Sequence, residues 1–222
     1  MGVAFFDFDK TLIRKNSGDL WLQHEWRGGR IGLFMAARAA TLLFRYKLGY
    51  VGLEAGLRLA IESLRGERES ELRARVHAFY ERDVRPHYRP EGLTAVRRHK
   101  EEGDAVVLLT SASIYVAEAV QRDLSLDDVL CNRFEVDASG RFTGAPIEPV
   151  CFGEGKRALA AQWLEAHYQT WRDAAFYTDS MADISVLEQV ARPVVVTPDP
   201  RLHRRARASG WVLTMPPTKA SA

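Results

Sequence analysis

The chain has 222 residues, 46% hydrophobic and 27% charged, an ordinary globular composition and long enough for one domain plus an insertion. Its 31 basic and 29 acidic residues leave a net charge of +2, which gives no global pull towards nucleic acid. The two cysteines, Cys131 and Cys151, lack metal-ligand spacing and read as reduced thiols.

Residues 3–6 are a short apolar run stopped by Asp7 and Asp9, with Phe8 between them. Such a run reads as a buried strand of a parallel sheet. Ligands of open α/β sheets sit beyond the carboxyl ends of the strands, so chemistry is expected at Asp7 and Asp9. No basic leader or cleavage site precedes the strand, and a cytoplasmic location is expected. A helical pattern with Leu20, Trp21, Leu22 and Trp26 follows and breaks at Gly28 and Gly29. Residues 31–53 are a second apolar run, interrupted by Arg38 and Arg45. A third helix is predicted over 53–64, and a fourth over 67–83, stopping before Pro86. Residues 14–89 therefore read as an all-helical insertion.

The α/β pattern resumes at Pro90, near the start of a helix to 102 that Gly103 ends. A strand over 105–109 runs into Thr110 and Ser111, and a helix over 114–124 follows. Residues 132–136 and 141–143 are predicted to form a hairpin around the turn at 137–140. Then come a helix over 155–168, a strand over 174–178 running into Asp179, and a short helix with Ile184, Val186 and Leu187. A strand over 193–196, a helix over 201–209 and a strand over 211–213 complete the pattern, and 216–222 is expected to be a disordered tail. Alternating strands and short-linked helices predict an α/β fold with a doubly wound parallel sheet. Residues 1–13 and 90–215 would form that core, with 14–89 inserted into it.

Three predicted strand ends carry matching polar groups: Asp7 and Asp9, then Thr110, then Asp179 with Asp183 beyond it. Lys156 opens a helix between them. Converging carboxylates without histidine or thiol suit a hard cation, magnesium above all. A lysine, a hydroxyl and helix N-terminal amides suit a phosphate. Phosphoryl transfer needs little more than these: a nucleophile, charge neutralisation and in-line positioning. Singly, each group has a plainer reading. Acids at a strand end are solvated or cap a helix, Thr110 is a cap, and Lys156 is a surface lysine. Asp179 and Asp183 are acids in a first helical turn. Gly153-Glu154-Gly155-Lys156 lacks the spacing of a P-loop, and the six histidines are scattered.

These motifs resemble those of the haloacid dehalogenase superfamily of phosphohydrolases, in its phosphoserine-phosphatase-like branch. The matching residues are Asp7, Asp9 and Thr11, the strand ending in Thr110, Lys156, and Asp179-Ser180 with Asp183 and Leu187. The resemblance implies a Rossmann-like core with a mobile helical cap over 14–89. It also implies a magnesium-dependent phosphomonoesterase acting on a small phosphorylated metabolite. Asp7 would be the nucleophile, forming an aspartyl-phosphate. Asp9 would be general acid and then base, kept protonated by the charge of its neighbour while the metal holds Asp7 ionised. The implied magnesium ligands are Asp7, Asp179 and the main-chain carbonyl of Asp9, with Asp183 orienting that shell. Thr110, Ser111, Lys156 and the Phe8 amide would bind the phosphate.

The substrate-reading part departs from the pattern. Asn16 stands, by spacing, where phosphoserine phosphatases place a glutamate for the substrate ammonium, and a neutral amide is a poor partner for that group. Arg58 and Arg65 are the arginines near the expected carboxylate contact, and Thr178 replaces a usual glycine. Phosphoserine-like compounds, histidinol phosphate and a lipid-like phosphate are the candidate substrates. The alternatives are a phosphotransferase or mutase of the same fold, and a non-catalytic phosphate-binding or membrane-associated regulatory protein. Residues 26–53 contain no Asp or Glu but several arginines and aromatic residues. They read as packed helix with snorkelling arginines, or as a face for weak contact with an anionic amphiphile or membrane.

Overall fold

The structure, a computed structural model, describes residues 2–30 and 53–214. Seven strands form one sheet: β1 Val3–Phe6, β2 Ala105–Ser113, β3 Asp128–Val136, β4 Phe142–Ile147, β5 Ala174–Thr178, β6 Arg192–Val196 and β7 Val212–Thr214. Their order is β4-β3-β2-β1-β5-β6-β7, and every pairing is parallel except β3 with β4. The first strand thus lies at the centre. All four of its residues are buried, because helices cover both faces of the sheet. The two-residue strand period sends Val3 and Phe5 into one apolar layer and Ala4 and Phe6 into the other.

The described helices are α1 Ser17–Arg27, α2 Leu53–Glu62, α3 Glu69–Phe79, α4 Pro90–Glu101, α5 Ile114–Leu124, α6 Glu154–Ala166, α7 Ile184–Leu187 and α8 Pro200–Ser209. The Phe6 layer takes Val96 of α4 and Ile114 and Val120 of α5, while the Phe5 layer takes Trp163 of α6 and Leu202 of α8. This is the doubly wound α/β architecture that the alternating pattern predicts.

Four elements differ by several residues from the sequence reading, among them the fourth strand, which runs on to Ile147 rather than ending at 143. The second strand does not stop at 109 but continues to Ser113, which still pairs with Asn132 across an irregular register. The third begins four residues early, at Asp128. Its first part pairs parallel with Val107–Leu109 and its second part antiparallel with β4. Asp128 hides this strand from a hydropathy reading, yet it is tolerated because Trp163 Nε1 donates to its Oδ2 at 2.8 Å. The helix expected over 67–83 ends at Phe79 and loosens into a wide turn, Tyr80–Val84, and a short tight one, Arg85–His87.

The apolar run 31–53 lies outside the described residues except for Leu53, and so does the tail 216–222. The rest of the insertion is not detached from the core. Leu72, Val76, Phe79, Tyr80 and Val84 share one apolar cluster with Phe6, Phe8 and Ile114. Main-chain bonds also join it to the β3–β4 hairpin: Gly66 N–H to Phe142 O at 2.8 Å and Phe142 N–H to Glu67 O at 3.0 Å. Its entry and exit segments pair with each other, Arg14 N–H to His87 O at 2.9 Å and Arg89 N–H to Leu12 O at 2.8 Å. Among the described residues, no helix is long and apolar enough to cross a membrane.

Candidate active site

Asp7 ends the central strand. Its N–H still bonds to Tyr177 O of β5, at 2.8 Å, so the residue leaves the sheet in a fixed direction. The chain then turns sharply through Phe8–Leu12, with Asp9 extended and Lys10 in the left-handed region at φ 57°. That turn aims Asp9 away from the sheet and towards α1, where its Oδ1 accepts the Ser17 N–H at 2.6 Å. The two acids therefore meet different surroundings, although only one residue separates them.

Asp7 meets Lys156. The Nζ donates to Asp7 Oδ1 at 2.8 Å and to Asp183 Oδ2 at 3.0 Å, and all three side chains are buried. Lys156 reaches the strand ends because α6 starts tightly against the preceding loop. A Cβ on Gly155 would lie 1.8 Å from the Val150 carbonyl oxygen, so only glycine permits that approach. Asp183 Oδ2 also accepts the Thr178 hydroxyl at 2.6 Å.

The other predicted residues are placed as follows. Thr110 is buried and its hydroxyl accepts the Ala112 N–H at 3.1 Å, which leaves its own hydrogen free to donate. The Ser111 hydroxyl instead donates to Cys151 O at 2.8 Å, a link within the core. The Phe8 ring is buried edge-on to Tyr88, so any contact with a ligand falls to its main chain. Asn16 caps α1, accepting the Asp19 N–H at 3.0 Å. Asp179 follows β5 half-buried, and among the described residues its carboxylate accepts no hydrogen bond from another residue.

Burial raises Asp7 to about 8, against the opposing pull of Lys156. It raises Asp179 to about 6, with Lys10 opposing. Asp9 is raised as well, but burial is the cause and the Ser17 N–H opposes it. Burial would lower Lys156, yet Asp183 and Asp7 beside it hold it above its ordinary value.

These carboxyl groups share too little positive charge, and a cation would relieve them. The available donors are all oxygens, from Asp7, Asp179 and the Asp9 main chain, and such a set fits a hard ion such as magnesium. A histidine-acid group lies elsewhere, His99 with Glu102 and Asp104. Both nitrogens of His99 are already engaged there, by Asp104 at 2.9 Å and by the Tyr177 hydroxyl at 2.9 Å.

The raised carboxyls make a prediction about stability. A carboxyl with a higher pKa folded than unfolded binds protons preferentially in the folded state, so stability falls as pH rises through that interval. In a chelator, the melting temperature should drop by about 4 °C or more between pH 5 and pH 8, and magnesium should remove most of that drop. Thermal scans at both pH values measure it, and equal melting with and without magnesium would refute the cation fit.

One residue of the site escaped the sequence reading: the Thr178 hydroxyl bonds Asp183 and is visible in the chain only as a departure from glycine. No local pattern marks that contact.

The chain as a whole is similar to known proteins. The haloacid dehalogenase-like hydrolase family matches residues 4–188. A histidinol-phosphatase of Neisseria meningitidis is 27% identical over 213 residues, spanning 94% of this chain and 96% of that protein. A Bordetella pertussis protein of unknown function superposes with a TM-score of 0.88 at 30% identity, over 95% of this chain and 96% of that one. A substrate-bound phosphoserine phosphatase superposes with a TM-score of 0.70 at 16% identity, over 96% of this chain and 91% of that one, which is a likeness of fold alone.

Proposed function

The chain belongs to the haloacid dehalogenase-like hydrolases, and from that premise we propose that it is a magnesium-dependent phosphomonoesterase. The observation that carries this reading is the buried bridge of Lys156 between Asp7 and Asp183, with Asp9 turned aside to α1. It gives the two acids of the first motif unlike tasks.

An Asp7 oxygen attacks phosphorus, and the bond to the leaving oxygen breaks as the aspartyl-phosphate forms. Asp9, favoured in its protonated form by burial, gives its proton to that leaving oxygen. Asp9 then takes a proton from the water that attacks phosphorus, which releases phosphate and restores Asp7. Lys156 has three donor hydrogens, of which Asp7 and Asp183 take two, and the third serves a phosphoryl oxygen. Thr110 gives its hydroxyl hydrogen to another. Magnesium, held by Asp7, Asp179 and the Asp9 carbonyl, would supply charge neutralisation for the phosphoryl group.

The substrate is a small alcohol phosphate, with histidinol phosphate the first choice. Arg58 is spent on Glu54 at 2.9 Å and Glu148 at 2.7 Å, and Arg65 lies against Gly144. Arg58 is thereby engaged away from a substrate carboxylate, and the Asn16 side-chain oxygen is taken by the start of its helix. The name of the Neisseria relative, which aligns over nearly its whole length, supports the same choice. Phosphate release from a panel of phosphomonoesters tests it. Histidinol phosphate should exceed phosphoserine by about tenfold or more in kcat/KM, a difference of one well-placed polar contact, and chelation should abolish both. Faster turnover of phosphoserine, or turnover in chelator, would overturn the assignment. Equal yields of alcohol and phosphate in the presence of other alcohols would rule out phosphotransfer.

A further inference from the structure

Thr178 closes β5 one residue before Asp179 and is fully buried. Its Oγ accepts the Ser180 N–H at 3.2 Å, so its own hydrogen is free to point elsewhere. That hydrogen goes to Asp183 Oδ2, at 2.6 Å. The same oxygen accepts Lys156 Nζ at 3.0 Å, and Nζ reaches on to Asp7 Oδ1 at 2.8 Å. The four groups form one buried line running from Thr178 through Asp183 and Lys156 to Asp7.

We propose that Thr178 is a positioning residue for catalysis, whose hydroxyl pins Asp183 so that Lys156 is held against Asp7. The proposal rests on the reading above, in which Asp7 is the nucleophile and Lys156 contacts the phosphoryl group. A glycine at this position has no hydroxyl to offer. Without that donor, Asp183 Oδ2 loses the bond that fixes its rotamer, and the carboxylate can turn with Lys156 following it away from Asp7. Charge-assisted bonds in a dry site are strong, so the released carboxylate keeps the lysine rather than the nucleophile doing so. Lys156 matters most when negative charge gathers on the transferring group, and its misplacement should therefore reduce kcat more than binding.

Thr178→Val keeps the branched shape and removes the hydroxyl, whereas Thr178→Ser keeps the hydroxyl and removes a methyl group. With magnesium at a concentration that saturates the wild type and the best substrate of the panel, Thr178→Val should lose about 10- to 100-fold in kcat with KM within about threefold of wild type. Thr178→Ser should stay within about threefold of wild type in both. If valine is not accepted in the strand, Thr178→Ala carries the same comparison with serine. The proposal is overturned by full kcat in the valine variant, by a serine variant as slow as valine, or by a loss confined to KM. It is also overturned if raising magnesium restores the valine variant, since the hydroxyl would then serve the metal shell and not Lys156. Asp7→Asn, measured alongside, separates the two levels. Turnover in that variant would sink the phosphatase reading itself, whereas an inactive Asp7→Asn beside a fully active Thr178→Val would sink only the role of Thr178.

Discussion

Asp7→Asn should lower kcat by about 10⁴-fold or more, the scale seen when a nucleophile is removed, while the melting temperature holds or rises. The amide keeps the shape of the carboxyl but cannot form an acyl phosphate. Stability should not suffer, because the wild-type carboxyl is already penalised by burial, which lifts it to about 8. Lys156 would keep Asp183 as its partner at 3.0 Å, so no buried charge is orphaned. Phosphate release and thermal unfolding on the same preparation check both halves. In rapidly quenched wild-type enzyme, phosphate should be found covalently on a peptide containing Asp7. Activity near wild type in the variant would refute the nucleophile.

Lys156→Met should damage both fold and turnover. The substitution keeps the length of the side chain and deletes the cation that Asp7 and Asp183 share. Breaking a buried pair from one side costs about 3–5 kcal/mol, which in a chain of this size lowers the melting temperature by roughly 10 °C. The loss should be larger at pH 8 than at pH 5. Two facing carboxylates without a cation are raised further above their unfolded values, and the folded state regains stability as protons bind. Added magnesium should restore part of the stability, because it replaces some of the missing charge near Asp7. It should not restore turnover, which should fall by about 10²- to 10³-fold. Thermal scans at two pH values with and without magnesium, set beside phosphate release, test each point. An unchanged melting temperature would show that the lysine does not hold the two acids.

Both predictions concern residues that the linear chain already exposes. Asp7, Thr110 and Asp179 are visible because an apolar run broken by a polar residue marks where a buried strand emerges from its sheet. The strand run supplies both the burial and the direction, so the parallel α/β plan and the convergence of these ends follow from local periodicity. Asn16 shows the limit. By spacing it stands at a substrate-contact position, yet its side chain accepts the Asp19 N–H at the start of α1, a choice set by where that helix begins. The start of β3 was missed for a related reason, since Asp128 looks like a loop residue until Trp163 of α6 is seen to bond it.

Local patterns in the chain account for the layered fold, the order of the strand-end acids and the type of chemistry they suit. Burial and alternation are short-range properties, and the chain writes them locally. Which polar group holds which depends on contacts made in the assembled fold. Lys156 finds Asp7 across 149 residues and Asp183 across 27, and nothing in the spacing of the chain states those pairings. The same holds for the turn at Lys10, which separates Asp9 from Asp7, and for the Thr178 hydroxyl behind Asp183. Hydrogen bonds are directional and short, so a partner is chosen by the final position of two backbones to within about half an ångström, and that position exists only once the sheet has assembled.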